Sequence, residues 1–168
     1  MSQYSSKGLF IPIEDGAFRA TNAIVTGDVV LAEDVGIWFG CVLRGDDAQL
    51  KIGARSNVQD LTMVHADIDV PNVIGEEVTV GHGCVLHGAK IGNRCLIGMG
   101  AVLLAGSVVG DESIVAAGAV VRENFEIPPR TLVAGVPAKI IRAVTDDEVE
   151  SIRESAAGYV KKLRIYLA

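Results

Sequence analysis

Three histidines, His65, His82 and His87, make up the whole imidazole complement of this 168-residue chain. Three imidazoles with no competing thiolate cage suit Zn2+, or Fe2+ and Co2+, and three protein ligands leave a fourth position open to water. A cation held in that way lowers the pKa of water to about 7, so hydroxide is available at neutral pH. Polar residues gather in two short segments upstream, Arg44-Gly45-Asp46-Asp47 and Asn57-Val58-Gln59-Asp60. Isolated surface or capping histidines are the ordinary expectation for so few, so the decision rests on the elements that carry them.

Those elements repeat. Branched aliphatics recur every six residues at Val25, Leu31, Ile37 and Leu43, then at Ile52, Val58 and Val64, then at Ile74, Val80 and Leu86. The last run is the longest: Ile91, Ile97, Leu103, Val109, Val115 and Val121. Glycine follows many of these aliphatics, as at Gly53, Gly75 and Gly92, and the fourth residue after each is small, as at Ser56, Thr62 and Ala101. Residues two apart in extended chain share a face, so the small residue and the next aliphatic both point inward. Period six fits neither an amphipathic helix nor a hairpin array and marks a parallel β-helix of hexapeptides. Such a coil has three short sides, with coils about 4.8 Å apart.

The breaks in the repeat all fall on one edge. With sides labelled a, b and c from Val25, the aliphatics Leu43, Val64 and Leu86 lie on side a, and only the intervals after them depart from six. Solenoid insertions gather on a functional face. Immediately after these aliphatics come Arg44, His65 and His87, all pointing outward on neighbouring coils. His82, two residues after the side-c Val80, projects from a different part of the prism. Within one chain it diverges from the other two, and a trimer setting side a of one copy against this turn of the next would bring them together.

Beyond the repeat, Ile127-Pro128-Pro129 is expected to end the β-helix, followed by Ala134-Gly-Val-Pro-Ala-Lys139. Thr145 with Glu148 three residues on forms a capping box, and Val149, Ile152, Ala156, Tyr159, Val160 and Leu163 form an apolar stripe. The reading is one domain spanning 1–168, all-β over about 11–140 with a C-terminal α-helix over about 145–167 packed along the prism.

Bulk properties narrow the partners. Hydrophobic residues make up 49% of the chain but aromatics only 5%, the composition of a narrow repetitive core. A net charge of −6 argues against nucleic acid and anionic membrane surfaces and leaves small molecules or proteins. The uncharged run from Cys95 to Gly110 is broken by glycine and shorter than a membrane span, so a soluble, cytoplasmic protein is expected. Cys41, Cys84 and Cys95 show no C-x-x-C pairing and occupy the small inward slot, which suggests a reducing compartment.

The segments Arg44-Gly45-Asp46 and Asn57-Val58-Gln59-Asp60, with His65, His82 and His87, closely resemble the R-G-D, N-x-Q-D and three-histidine pattern of γ-class carbonic anhydrases. The resemblance runs from about Thr26 to Lys139 and implies a left-handed winding and a homotrimer. It makes His65 and His87 metal ligands from one subunit and His82 the ligand from its neighbour. It further implies that Gln59 hydrogen-bonds the metal-bound water and that Asn57 supports the pocket for CO2 and bicarbonate. Arg44, Asp46 and Asp60 would form a charged network across the trimer contact, where a purely structural role and a chemical one stand side by side. Tyr159 lies where some relatives place a tyrosine near the metal, although a packing role on the stripe is the commoner case. Two departures stand out: Asp47 replaces an expected glutamate, and the segment after His65 is only Ala66 to Asn72. Asp47, Asp67 and Asp69 are the remaining carboxylates for proton transfer.

A hexapeptide acyltransferase using acetyl-CoA, with a histidine as general base and no metal, is the main competing function. A thioesterase-like enzyme or a metal-binding assembly protein could also use this scaffold. The histidine cluster with Gln59 and Arg44 favours the hydratase.

Overall fold

The computed structural model describes residues 7–167, and in it the repeat frame becomes three stacked faces. Face a stacks Val25, Leu43, Val64, Leu86, Leu103 and Val121 in parallel register. Face b stacks Leu31, Ile52, Ile74, Ile91, Val109 and Ile127. Face c stacks Arg19, Ile37, Val58, Val80, Ile97, Val115 and Val133. The aliphatics that define the period are almost all buried, most completely, and the small slots Cys41, Ser56, Thr62, Cys84, Cys95, Ala101, Ser107, Ser113 and Ala119 are buried beside them.

Cysteine and hydroxyl residues do the same work in the small slot. Ser56 donates to the carbonyl of Gly75 at 2.8 Å and Thr62 to that of Gly81 at 3.0 Å, each on the next coil. Cys84 Sγ donates to Gly98 at 3.2 Å and Cys95 Sγ to Gly110 at 3.2 Å in the same way. Glycine after the aliphatic answers to a different need, close approach of coil to coil. A Cβ on Gly53 would lie 2.6 Å from the backbone of Gly75.

The corner between faces b and c places Asp34, Arg55, Glu77, Arg94, Glu112 and Arg130 in the left-handed region, with φ from 50° to 58°. Each from Arg55 onward gives its backbone N–H to the coil before it, as Arg94 does to Glu76 at 2.8 Å, and this bond holds a conformation such residues rarely adopt. The six alternate in sign up the stack, with ion pairs such as Arg55–Glu77 at 3.2 Å and Arg94–Glu112 at 2.9 Å.

The solenoid continues one side past Ile127-Pro128-Pro129. Leu132 and Val133 stack on Ile114 and Val115, and Lys139–Ala143 then pairs antiparallel with Thr131–Ala134. The prolines do not stop the coil because of where they stand. Gly53, Gly75, Gly92 and Gly110 each give an N–H to the face-b carbonyl one coil on. Pro128 holds the equivalent place on the last face-b coil, where no further strand would receive a donor.

The C-terminal helix Asp146–Leu167 begins with the expected capping box. Thr145 N–H donates to Glu148 Oε2 at 2.9 Å and Glu148 N–H to Thr145 Oγ1 at 3.2 Å. Ile152, Ala156 and Leu163 are buried against face c. Tyr159 and Tyr166 meet the ring of Trp38 edge-on, at centroid distances of 5.2 and 5.5 Å.

Candidate metal centre

Parallel register sets Arg44, His65 and His87 one above another on face a. Their neighbours Leu43, Val64 and Leu86 point into the core, so by strand alternation these three point out. The imidazole rings of His65 and His87 lie with centroids 5.2 Å apart and planes tilted by 44°. The irregular segments then turn carboxylates toward them. His65 Nε2 lies 3.1 Å from Asp46 and 3.2 Å from Asp47, and His87 Nε2 lies 2.9 Å from Asp67. Asp67 sits in the short loop after His65, closed by a bridge to Val70. Arg44 forms an ion pair with Asp46 and, chiefly through that hydrogen bond, holds the Asp46 carboxyl below the usual range.

This donor set fits a divalent cation. His65 and His87 would supply two imidazole nitrogens to such an ion, the donor type that suits Zn2+ and its neighbours. Asp46, Asp47 and His65 also present ligand atoms within 4.8 Å of one another, so the surroundings are negative.

His82 stands elsewhere. It follows the face-c residues Val80 and Gly81, and the three imidazoles do not converge within one chain. Its Nδ1 lies 2.7 Å from Asp60 Oδ2. Gln59 and Asn57 are both buried, the first donating its amide N–H to Asn57 Oδ1 at 3.1 Å, the second donating to Thr79 Oγ1 at 3.0 Å. A groove beside them, about 480 Å3, runs from Gln59 and His82 along Ile97, Met99 and Val115.

Comparison with known proteins decides the family. A carbonic anhydrase of Geobacillus kaustophilus is 39% identical over 165 residues, covering 98% of this chain and 91% of that protein. The chain belongs to the γ-class carbonic anhydrase-like family of hexapeptide-repeat proteins. The mitochondrial gamma carbonic anhydrase 2 of Arabidopsis thaliana is 41% identical over 160 residues, covering 92% of this chain but 58% of the plant protein. The chain thus spans little more than half the length of that relative. Residues 88–123 match the model described as bacterial transferase hexapeptide (six repeats). Among solved structures, a hexapeptide transferase family protein from Anaplasma phagocytophilum superposes with a TM-score of 0.87 at 37% identity, covering 92% of this chain and 91% of that one.

Set against the pattern of the γ-class-like family, this chain brings together Arg44 with Asp46, His65 with His87, and Gln59 with Asn57. Asp60 is not joined to Arg44 within the chain. It pairs with His82 and accepts the backbone N–H of Phe39 at 3.3 Å. Tyr159 lines a groove with Asp60, His82 and Trp38 rather than facing His65 and His87. Burial, and secondarily the charge of Asp60, raises its pKa. Of the three carboxylates proposed for proton transfer, Asp47 and Asp67 reach an imidazole, while Asp69 bonds neither. Sequence reasoning missed the Asp60–His82 pair. The signal was present, since each stands two residues after a face-c aliphatic, Val58 and Val80.

Proposed function

We propose that the chain assembles as a homotrimer and interconverts CO2 and bicarbonate at a divalent metal, Zn2+ first, held by His65 and His87 of one subunit and His82 of the next. The observation that carries this reading is the in-register stacking of His65 and His87 on the edge that also bears Arg44, Asp46 and Asp47. A bound cation supplies water of lowered pKa, about 7, and hence a nucleophile at neutral pH.

The remaining work falls to side chains. Asn57 receives the Gln59 amide N–H, which fixes that amide and leaves its carbonyl oxygen to orient a water by accepting a hydrogen bond from it. Met63 and Val85 stand two residues before the paired imidazoles on the same outward face and are partly exposed. They offer an apolar floor suited to CO2. Asp47 and Asp67, about half exposed and within hydrogen-bond reach of His65 and His87, take the released proton to solvent. Arg44 balances the charge of Asp46 and faces the neighbouring subunit, while Asp60 is engaged within its own chain by His82. Tyr159 closes the groove beside His82.

We read the 1–168 chain as one folding unit acting in the cytoplasm. No helix among the described residues is long and apolar enough to cross a membrane. Elemental analysis and a CO2 hydration assay on one preparation test the function. About one ion per chain, with hydration abolished by chelation and restored by Zn2+, is expected; a metal-free trimer after growth and purification in zinc would refute it.

A second reading, acyl transfer from acetyl-CoA, draws on the apolar groove beside Gln59 and His82. There the Asp60–His82 pair would serve as an oriented general base. Acyl transfer by chelator-treated protein would favour it.

A further inference from the structure

The corner between faces c and a stacks Phe39, Asp60, His82 and Met99, each followed by a residue at φ 62–69°. The backbone ties these coils directly. Leu61 N–H donates to Phe39 at 2.8 Å, Gly83 N–H to Asp60 at 2.9 Å and Gly100 N–H to His82 at 2.9 Å. Asp60 therefore lies one coil from His82, in line with it, and the fold itself fixes their separation. Oδ2 of Asp60 reaches His82 Nδ1 at 2.7 Å, while Oδ1 is steadied by the Phe39 N–H at 3.3 Å.

We infer that Asp60 is a positioning residue that locks His82 in the Nδ1–H tautomer and aims its Nε2 lone pair out of the subunit. This inference rests on the metal reading for its purpose but on the corner geometry for its content. A neutral imidazole has one donor nitrogen and one acceptor, and a carboxylate on Nδ1 selects that nitrogen as the donor. A ligand that must meet two imidazoles on another chain gains from being pre-aimed, because His82 is otherwise free to rotate on an exposed corner. In a polar network across the subunit contact, by contrast, Asp60 would act on assembly and not on the ring.

The test uses the full-length trimer with 15N-labelled histidine, whose three imidazoles give a short spectrum, together with zinc affinity by chelator competition. Wild-type metal-free protein should show the neutral imidazole of His82 as the Nδ1–H tautomer. Asp60→Ala should shift it toward the Nε2–H form that free imidazole prefers, keep the trimeric mass, and weaken zinc binding about 10–100-fold. Asp60→Asn, whose carbonyl oxygen can accept the same N–H, should recover most of the affinity and the tautomer. An unchanged tautomer in Asp60→Ala overturns the inference, as does loss of the trimer in both variants. If wild-type protein binds no zinc yet the tautomer shifts as stated, the metal reading fails and the role of Asp60 stands.

Discussion

The side-chain amide of Gln59 donates to Asn57 Oδ1 at 3.1 Å, and Asn57 is itself anchored to Thr79 at 3.0 Å. Both amides are buried on face c, on the side of the prism that carries His82, so they have few other partners. The pair makes Gln59 a fixed group rather than a mobile one.

Gln59→Ala should therefore leave trimer and metal content intact and lower CO2 hydration by about two orders of magnitude. That corresponds to roughly 2.7–4 kcal/mol, the cost of losing a donor or acceptor aimed at a reacting oxygen. Metal content, melting temperature and rate measured on one preparation separate this from a packing role. A lowered melting temperature with unchanged turnover per metal would count against the assignment.

Much of the fold is legible in the sequence. Every aliphatic from Val25 to Val121 stands on the face its phase assigned, because inward residues must match coil to coil and the period records that. The insertions after Leu43, Val64 and Leu86 were also legible, since they break the period on one edge. What the period could not show is pairing that ignores it. Val42–Ile52 runs as one strand through the segment with Asp46 and Asp47, paired on both sides of a register shift with Ile24–Leu31. The family resemblance implied a network of Arg44, Asp46 and Asp60 across a trimer contact; within the chain Arg44 meets Asp46 alone. The turning of Asp47, in the register-shifted strand, and of Asp67, in the loop after His65, onto imidazole nitrogens depends on local backbone geometry that no spacing rule carries.

The thiols give a sharp test of the core. Burial pushes Cys41 up to about 11 and Cys95 up to about 12, and raises Cys84 as well. With thiolate so disfavoured, native protein at pH 8 should resist iodoacetamide at all three positions. Mass spectrometry should find three adducts only after denaturation; rapid native labelling would contradict the packing described.

The helix cap predicts a pH dependence with a definite sign. Hydrogen bonds from Arg142, then from the Thr145 N–H, hold the Glu148 carboxyl at about 2, against an ordinary 4.5. Because the folded-state pKa is depressed, the cap's contribution is complete above about pH 4.5 and is lost as pH falls toward 2. The melting-temperature gap between wild type and Glu148→Gln should be constant above pH 5 and narrow through that window.

Leu103 is fully buried on face a, one coil beyond Leu86, with its side chain in the core on the opposite side of the sheet from the histidine rings. Leu103→Ala should cost about 2–5 kcal/mol in chemical denaturation while leaving metal content per folded trimer unchanged.

The central claim is that each metal site is built from two chains, and mixed trimers test it most directly. His65→Ala and His82→Ala subunits, each metal-free alone, should be co-refolded and their zinc content measured. If His82 completes its neighbour's site, every mixed trimer regains one intact site, and random mixing restores about a quarter of the wild-type zinc. No recovery in mixed trimers, or full zinc retention by His82→Ala alone, would contradict the shared site.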